Sequence, residues 1–230
     1  MPSPPGAVAR HTWRFPLGIC VGGIGSILLL AWIVYPAVQR QRIQADMMEA
    51  TSNLRSISFA LSEFESSYGA FPNEQTSWDV FAGTSSSLSL QTRTSNDFFK
   101  QLIVAEICSS EMLFFASIPG ARKPDNVFTT DTTALAKGEV GFSYIVGPSK
   151  ARHPKRPLVV TPLIPGTNRF DPKPFNGKAI VLCADLAGSR SGPVLPINEN
   201  GEVIDSSGKH ILDQANPIWG GEVPLIAWPK

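Results

Sequence analysis

Little in this chain belongs to the chemistry of enzymes or metal sites. Its 230 residues include three cysteines and three histidines. Cys20, Cys108 and Cys183 make no Cys-x-x-Cys, and His11, His153 and His210 are scattered, so a zinc site has no ligand set. There is no Gly-x-Ser-x-Gly, and no histidine stands at a recognisable spacing from an acidic partner. The expectation is therefore a protein that is not an enzyme and carries no cofactor. A surplus of positive charge is also missing, with 20 Lys and Arg against 19 Asp and Glu. Affinity for nucleic acid rests largely on such a surplus, so nucleic acid is not an expected partner. Disorder is excluded too, because 43% of the residues are apolar; 20 prolines and 19 glycines make the fold rich in loops.

Charge is absent altogether from Leu17 to Tyr35, LGICVGGIGSILLLAWIVY. A helix of about 20 apolar residues crosses a hydrocarbon core of about 30 Å, so residues 17–36 read as a membrane span. The run is longer than the core of a cleaved signal peptide and no Ala-x-Ala site follows it. Arg10 and Arg14 precede it, which favours a cytoplasmic N-terminus and a periplasmic ectodomain at a bacterial inner membrane. Within the run Gly18, Gly22 and Ser26 recur on one face, the spacing that lets a second membrane helix approach; general glycine enrichment of such helices explains it equally well.

Beyond Pro36 the helical beat continues. Ile43, Met47, Ala50, Leu54, Ile57, Leu61, Phe64 and Tyr68 are spaced alternately by four and three, with charged and polar residues between them. Joined to the apolar run this makes one helix about 80 Å long, ending where Gly69 can cap it and Phe71-Pro72 turns the chain away. The division is then a tail 1–16, a membrane half 17–36 and an ectodomain 37–230.

Residues 73–95 are rich in Ser and Thr with no sustained period and read as a surface excursion. A short helix starts near Ser95 or Asn96 and carries Phe98, Phe99, Leu102, Ile103 and Ile107. From Val140 the runs VGFSYIVG, RPLVVTPLI and KAIVLCADL read as strands, followed by Pro193–Ile197 and Glu202–Ile204 as a hairpin across Asn198–Gly201. The last fifteen residues lie over the sheet as irregular structure. Helices followed by strands joined by short loops predict an α+β fold, the long helix packed on an antiparallel sheet.

Three groups of side chains are candidates for more than packing. Cys108 and Cys183 are the one ectodomain pair that could form a disulfide, or else two buried thiols. Asn198, Asn200, Glu202 and Asp205 offer alternating oxygens that could hold Ca²⁺, although a hairpin turn explains the same residues more simply. Trp219 and Trp228 could stack on a sugar or a partner, or fill the core. The excursion 73–95 and the C-terminal tail are the segments expected to carry binding.

The apolar run with Pro36 beyond it, and then NLRSISFALSEFESSYGAFP from Asn53 to Pro72, resemble type IV pilin-like proteins, particularly the pseudopilins of type II secretion systems. SNDFFKQLIVAEICSSEMLFF and PLVVTPLIPGTNRFDPKPFNGKAIVL look like the corresponding parts of pseudopilin-like proteins of Verrucomicrobia and their relatives. The resemblance implies a pilin-like fold and a structural subunit assembling with other pilin-like or secretion-system subunits, as homo- or hetero-oligomer, through Gly18, Gly22, Ser26, Leu54, Ile57, Leu61 and Phe64. Gly18 precedes Ile19 as at a prepilin cleavage site, but Gly23 stands where the family places glutamate, and the run has no glutamate at all. That departure implies a minor or diverged subunit. The alternative is a single-pass periplasmic module that captures a protein or glycan without polymerising.

Overall fold

The computed structural model describes residues 17–147, 154–186 and 194–230, with side chains described at Trp32 and from Val34 onward. The expected tail 1–16 lies outside the described residues, as do the side chains of most of the expected membrane half 17–36, Cys20 and Ser26 included, and with them the surroundings of Gly18 and Gly22. Among the described residues no helix is long and apolar enough to cross a membrane. Two compact units divide the chain, Met1–Arg42 and Ile43–Lys230.

Helix α1, Leu17–Tyr68, is a single 52-residue element with Pro36 inside it. In the first unit its described apolar side chains Trp32, Val34, Tyr35 and Val38 are all exposed, Trp32 at 82%. In the second unit the periodic stripe is buried at Ala50, Leu54, Ile57, Leu61 and Phe64. The helix stops as the sequence indicates: Gly69 takes φ +75, and its amide donates to the Glu65 carbonyl at 2.8 Å.

Two further helices follow, α2 at Glu74–Gly83 and α3 at Ser95–Val104, then a 3₁₀ turn at Glu111–Phe114. Helix α2 corrects the reading of 73–95 as an irregular excursion. Asn73 caps it in a reciprocal box with Thr76, and the segment is irregular only after Gly83. Helix α3 begins at Ser95, as expected, but its cap is one residue earlier at Thr94, whose backbone and hydroxyl both bond Asp97. It ends before Ile107, and all ten of its residues are buried.

The sheet contains β1 (Ser143–Val146), β2 (Pro157–Thr161), β3 (Lys178–Cys183), β4 (Val194–Pro196) and β5 (Leu225–Ala227), in the order β4-β3-β2-β1-β5 with every pairing antiparallel. Both faces are buried, and the two-residue period sorts the side chains between them. Tyr144, Ile180, Leu182 and Ala227 join the first core, with the α1 stripe, Phe98, Phe99 and Phe114. Ile145, Val160, Ala179, Val181 and Ile226 join a second core, with Phe170, Val203, Leu212 and Trp219. A register shift between Pro157 and Val159 lets Leu158 and Val159 both face the first. The fold is thus α+β, with the N-terminal helix packed on a five-stranded antiparallel sheet.

Two strand assignments differ from expectation. The turn at Asn198–Gly201 forms, with the Asn198 amide donating to the Glu202 carbonyl at 2.8 Å, but β4 pairs with β3 and not with Glu202–Ile204. Residues 202–204 contribute only an isolated bridge from Ile204 to His210. The fifth strand comes from the tail, where Tyr144, Ile145 and Val146 pair with Ala227, Ile226 and Leu225. Of the two readings of the cysteine pair, the structure has Cys108 and Cys183 not bonded to each other. Alternation on β3 explains it, because Cys108 belongs to the first core and Cys183 packs against the second. Burial pushes the Cys108 thiol up to about 12, with the Glu63 charge adding to the effect.

Candidate functional site

The residues singled out from sequence are distributed as follows. Leu54, Ile57, Leu61 and Phe64 are all fully buried in the first core, and Phe64 stacks on Tyr68 at 4.6 Å between ring centroids. Their packing is therefore within the chain. A surface of α1 open to another molecule lies on its other side, where Met48 and Phe59, eleven residues or three turns apart, are exposed.

Asn198, Asn200, Glu202 and Asp205 form turns. Asn198 Oδ1 accepts the amides of Asn200 and Glu202 at 3.0 and 2.8 Å, and its amide group donates to Glu202 Oε2 at 3.0 Å. The other Glu202 oxygen is paired with Arg169. Asp205 accepts Ser207 on one oxygen and Asn216 on the other. Hydrogen bonds from Asn198 and Arg169 hold the Glu202 carboxyl below its ordinary range; at Asp205, burial raises the carboxyl and the bonds from Ser207 and Asn216 outweigh it. The side-chain oxygens of Asn198, Glu202 and Asp205 are each occupied by a local donor, and among the described residues no cluster of His, Cys, Asp and Glu could hold a metal ion.

Trp219 is buried, with its indole N–H donating to the Ile211 carbonyl at 2.8 Å and the Arg156 guanidinium 5.0 Å over the ring. Trp228 is half-buried and donates to the Thr167 carbonyl at 3.1 Å. Neither is an open stacking platform. His210 is buried too: its Nε2 lies 2.6 Å from the Asn168 carbonyl and Nδ1 3.1 Å from the Val203 amide, which fits the Nε2–H tautomer holding two loops together.

Sequence reasoning passed over two places. The first is a pair of buried carboxylates that clamp successive amides: Glu111 Oε1 accepts Leu135 N at 2.6 Å and Glu139 Oε2 accepts Ala136 N at 2.7 Å. Leu135 between them takes φ +47, a strained position for a leucine. Arg122 lies 2.9 Å from Glu139, while Glu111 Oε2 has no hydrogen-bond partner among the described residues. Burial pushes the Glu111 carboxyl up, against the bond from Leu135 and together with the charges of Glu139 and Asp125.

The second is the outer side of α2. Its inner side buries Thr76, Ser77 and Val80, and Thr76 Oγ1 donates to Gln101 Oε1 of α3 at 2.8 Å. The outer side presents Trp78 and Phe81, exposed at 66% and 54%, one turn apart beside a groove of about 260 Å³. The capping box from Asn73 to Thr76 was the signal for this helix, but its aromatics face outward and its small polar residues inward, the reverse of the pattern by which a helix is recognised.

No family model matches this chain, and no curated protein or solved structure matches it either. The functional reading therefore rests on the residues and their arrangement.

Proposed function

We propose that this chain is a membrane-anchored, pilin-like structural subunit, a minor or diverged pseudopilin of a type II secretion or type IV pilus-like system that assembles through its N-terminal helix. The observation carrying this reading is α1 itself. One helix carries the charge-free run, with Trp32, Val34, Tyr35 and Val38 exposed, then gives one stripe to the core and keeps Met48 and Phe59 exposed. Apolar side chains this exposed require a covering phase or partner. Lipid and the helices of neighbouring subunits supply it in this reading, and the missing glutamate in the first turns makes the subunit a minor one.

Single cysteines at Val38 and Phe59 in the full-length protein test the assembly in its native membrane. Both are expected to crosslink to a second copy or to another membrane subunit, while a cysteine at exposed Glu199, in the turn after β4, does not. A chain that stays monomeric with both probes, in membranes containing its neighbouring gene products, overturns the proposal.

A further inference from the structure

We infer that the groove along α2 is a binding site for a neutral saccharide. The inference stands whether or not the chain assembles. Helix α2 is fixed from three sides: by its capping box, by Thr76 on Gln101, and by Gln101 Nε2 donating to the Asn73 carbonyl at 3.1 Å. The opposite wall is fixed as well, since Leu88 is buried, Leu90 packs against the first core, and the Ser89 amide donates to Asp131 at 2.8 Å. Trp78 and Phe81 are thus held in the open by a rigid frame.

Large aromatics presented outward in this way need a ligand that stacks on their faces and leaves hydrogen bonds to the surroundings. The surroundings supply them, because Ser89, Thr92 and Glu74 line the same groove, with the Ser89 side chain also bonded to Asp131. The apolar C–H face of a pyranose fits the rings, and its hydroxyls fit Ser89, Thr92 and Glu74. Glu74 is the one charged group in the lining, which disfavours anionic sugars and nucleic acid. Size points the same way. A groove of about 260 Å³ lies just under the roughly 300–1,000 Å³ of sites for drug-sized molecules, room for about one sugar ring. A stable protein interface needs about 800 Å² per partner, and the apolar side chains lining this groove are Trp78, Phe81 and Leu90, with Ala82 beside them.

The test uses the detergent-solubilised full chain, titrated by calorimetry and tryptophan fluorescence with cellohexaose, chitohexaose and maltohexaose. One of these is expected to bind, with Trp78→Ala and Phe81→Ala each weakening it at least about tenfold and Trp78→Phe retaining most of it. Both side chains are exposed, so the variants should melt as the parent does. Absence of binding to all three, or binding unchanged in Trp78→Ala, overturns the proposal. So does loss of a protein crosslink in Trp78→Ala without any sugar binding, which would make the surface a protein contact.

Discussion

At the scale of single residues, the buried carboxylates Asp97, Glu111 and Glu139 are each met by a backbone amide, and Glu111 is where that provision falls short. One oxygen holds the Leu135 amide and the other has no hydrogen-bond partner among the described residues, so burial raises the carboxyl on folding. A group whose pKa rises on folding holds a proton that the unfolded chain releases. Its stabilising contribution is complete below the unfolded value of about 4.3 and is lost as pH rises through the folded value. Asp97 behaves oppositely: burial raises it, but bonds from Thr94 and Lys230 win and leave it lowered, so its contribution is lost as pH falls. Replacing Glu111 by Gln keeps an acceptor for Leu135 and removes the charge facing Glu139. The variant is expected to gain about 1 kcal/mol on the parent at pH 7.5 and little at pH 4, read from urea midpoints at the two values. An equal difference at both pH values would show that the Glu111 charge carries no such penalty.

At the scale of elements, close approach decides more than periodicity does. Gly141, just before β1, passes directly under the chain at Ala116: a Cβ there would meet the Ala116 nitrogen at 2.5 Å and its carbonyl oxygen at 2.6 Å. The Gly141 amide donates to the Phe114 carbonyl at 2.9 Å, and its carbonyl accepts Thr161 Oγ1 at 2.7 Å, so the strand cannot move aside without breaking both. Gly141→Ala is expected to cost about 1–3 kcal/mol in thermal or urea unfolding, whereas Ala at exposed Gly83, with no atom within 4 Å, is expected to be neutral or stabilising. Such approaches leave no trace in the sequence. The α1 stripe was legible because eight positions kept one period, and β1 to β3 because each is a run of β-branched and aromatic residues between turn formers. The partner of β4 was not, since Asn198–Gly201 specifies that the chain turns and not which strand lies alongside. Strand β5 has three residues between prolines, too few for any period, and α2 hid its aromatics from the pattern by exposing them. Of the candidate site, sequence located the segment 73–95 but not Trp78 or Phe81; for Trp219 and Trp228 it left stacking on a sugar or partner beside packing, and the second core takes both.

For the molecule as a whole, the question is how much of the chain the fold of the unit Ile43–Lys230 requires. The buried members of both cores lie at Ala50 or beyond, and the partly buried residues packed on them begin at Met47. The C-terminal tail is bound into the same unit: the Trp228 carbonyl accepts the Ser95 amide at 3.1 Å, Lys230 N donates to Asn96 at 3.0 Å, and Lys230 Nζ lies 3.0 Å from Asp97. Among the described residues, the members of both cores all belong to the unit Ile43–Lys230. Before Ile43, exposed Trp32, Val34, Tyr35 and Val38 instead add apolar surface that water disfavours. A fragment 43–230 is therefore expected to be monomeric without detergent, to unfold in one cooperative transition, and to melt within a few degrees of the solubilised full chain. Calorimetry and sedimentation on the two proteins would check this. A fragment that aggregates or melts broadly would mean that the N-terminal part of α1 sustains the rest of the fold, giving the helix a folding role as well as the assembly role proposed for it.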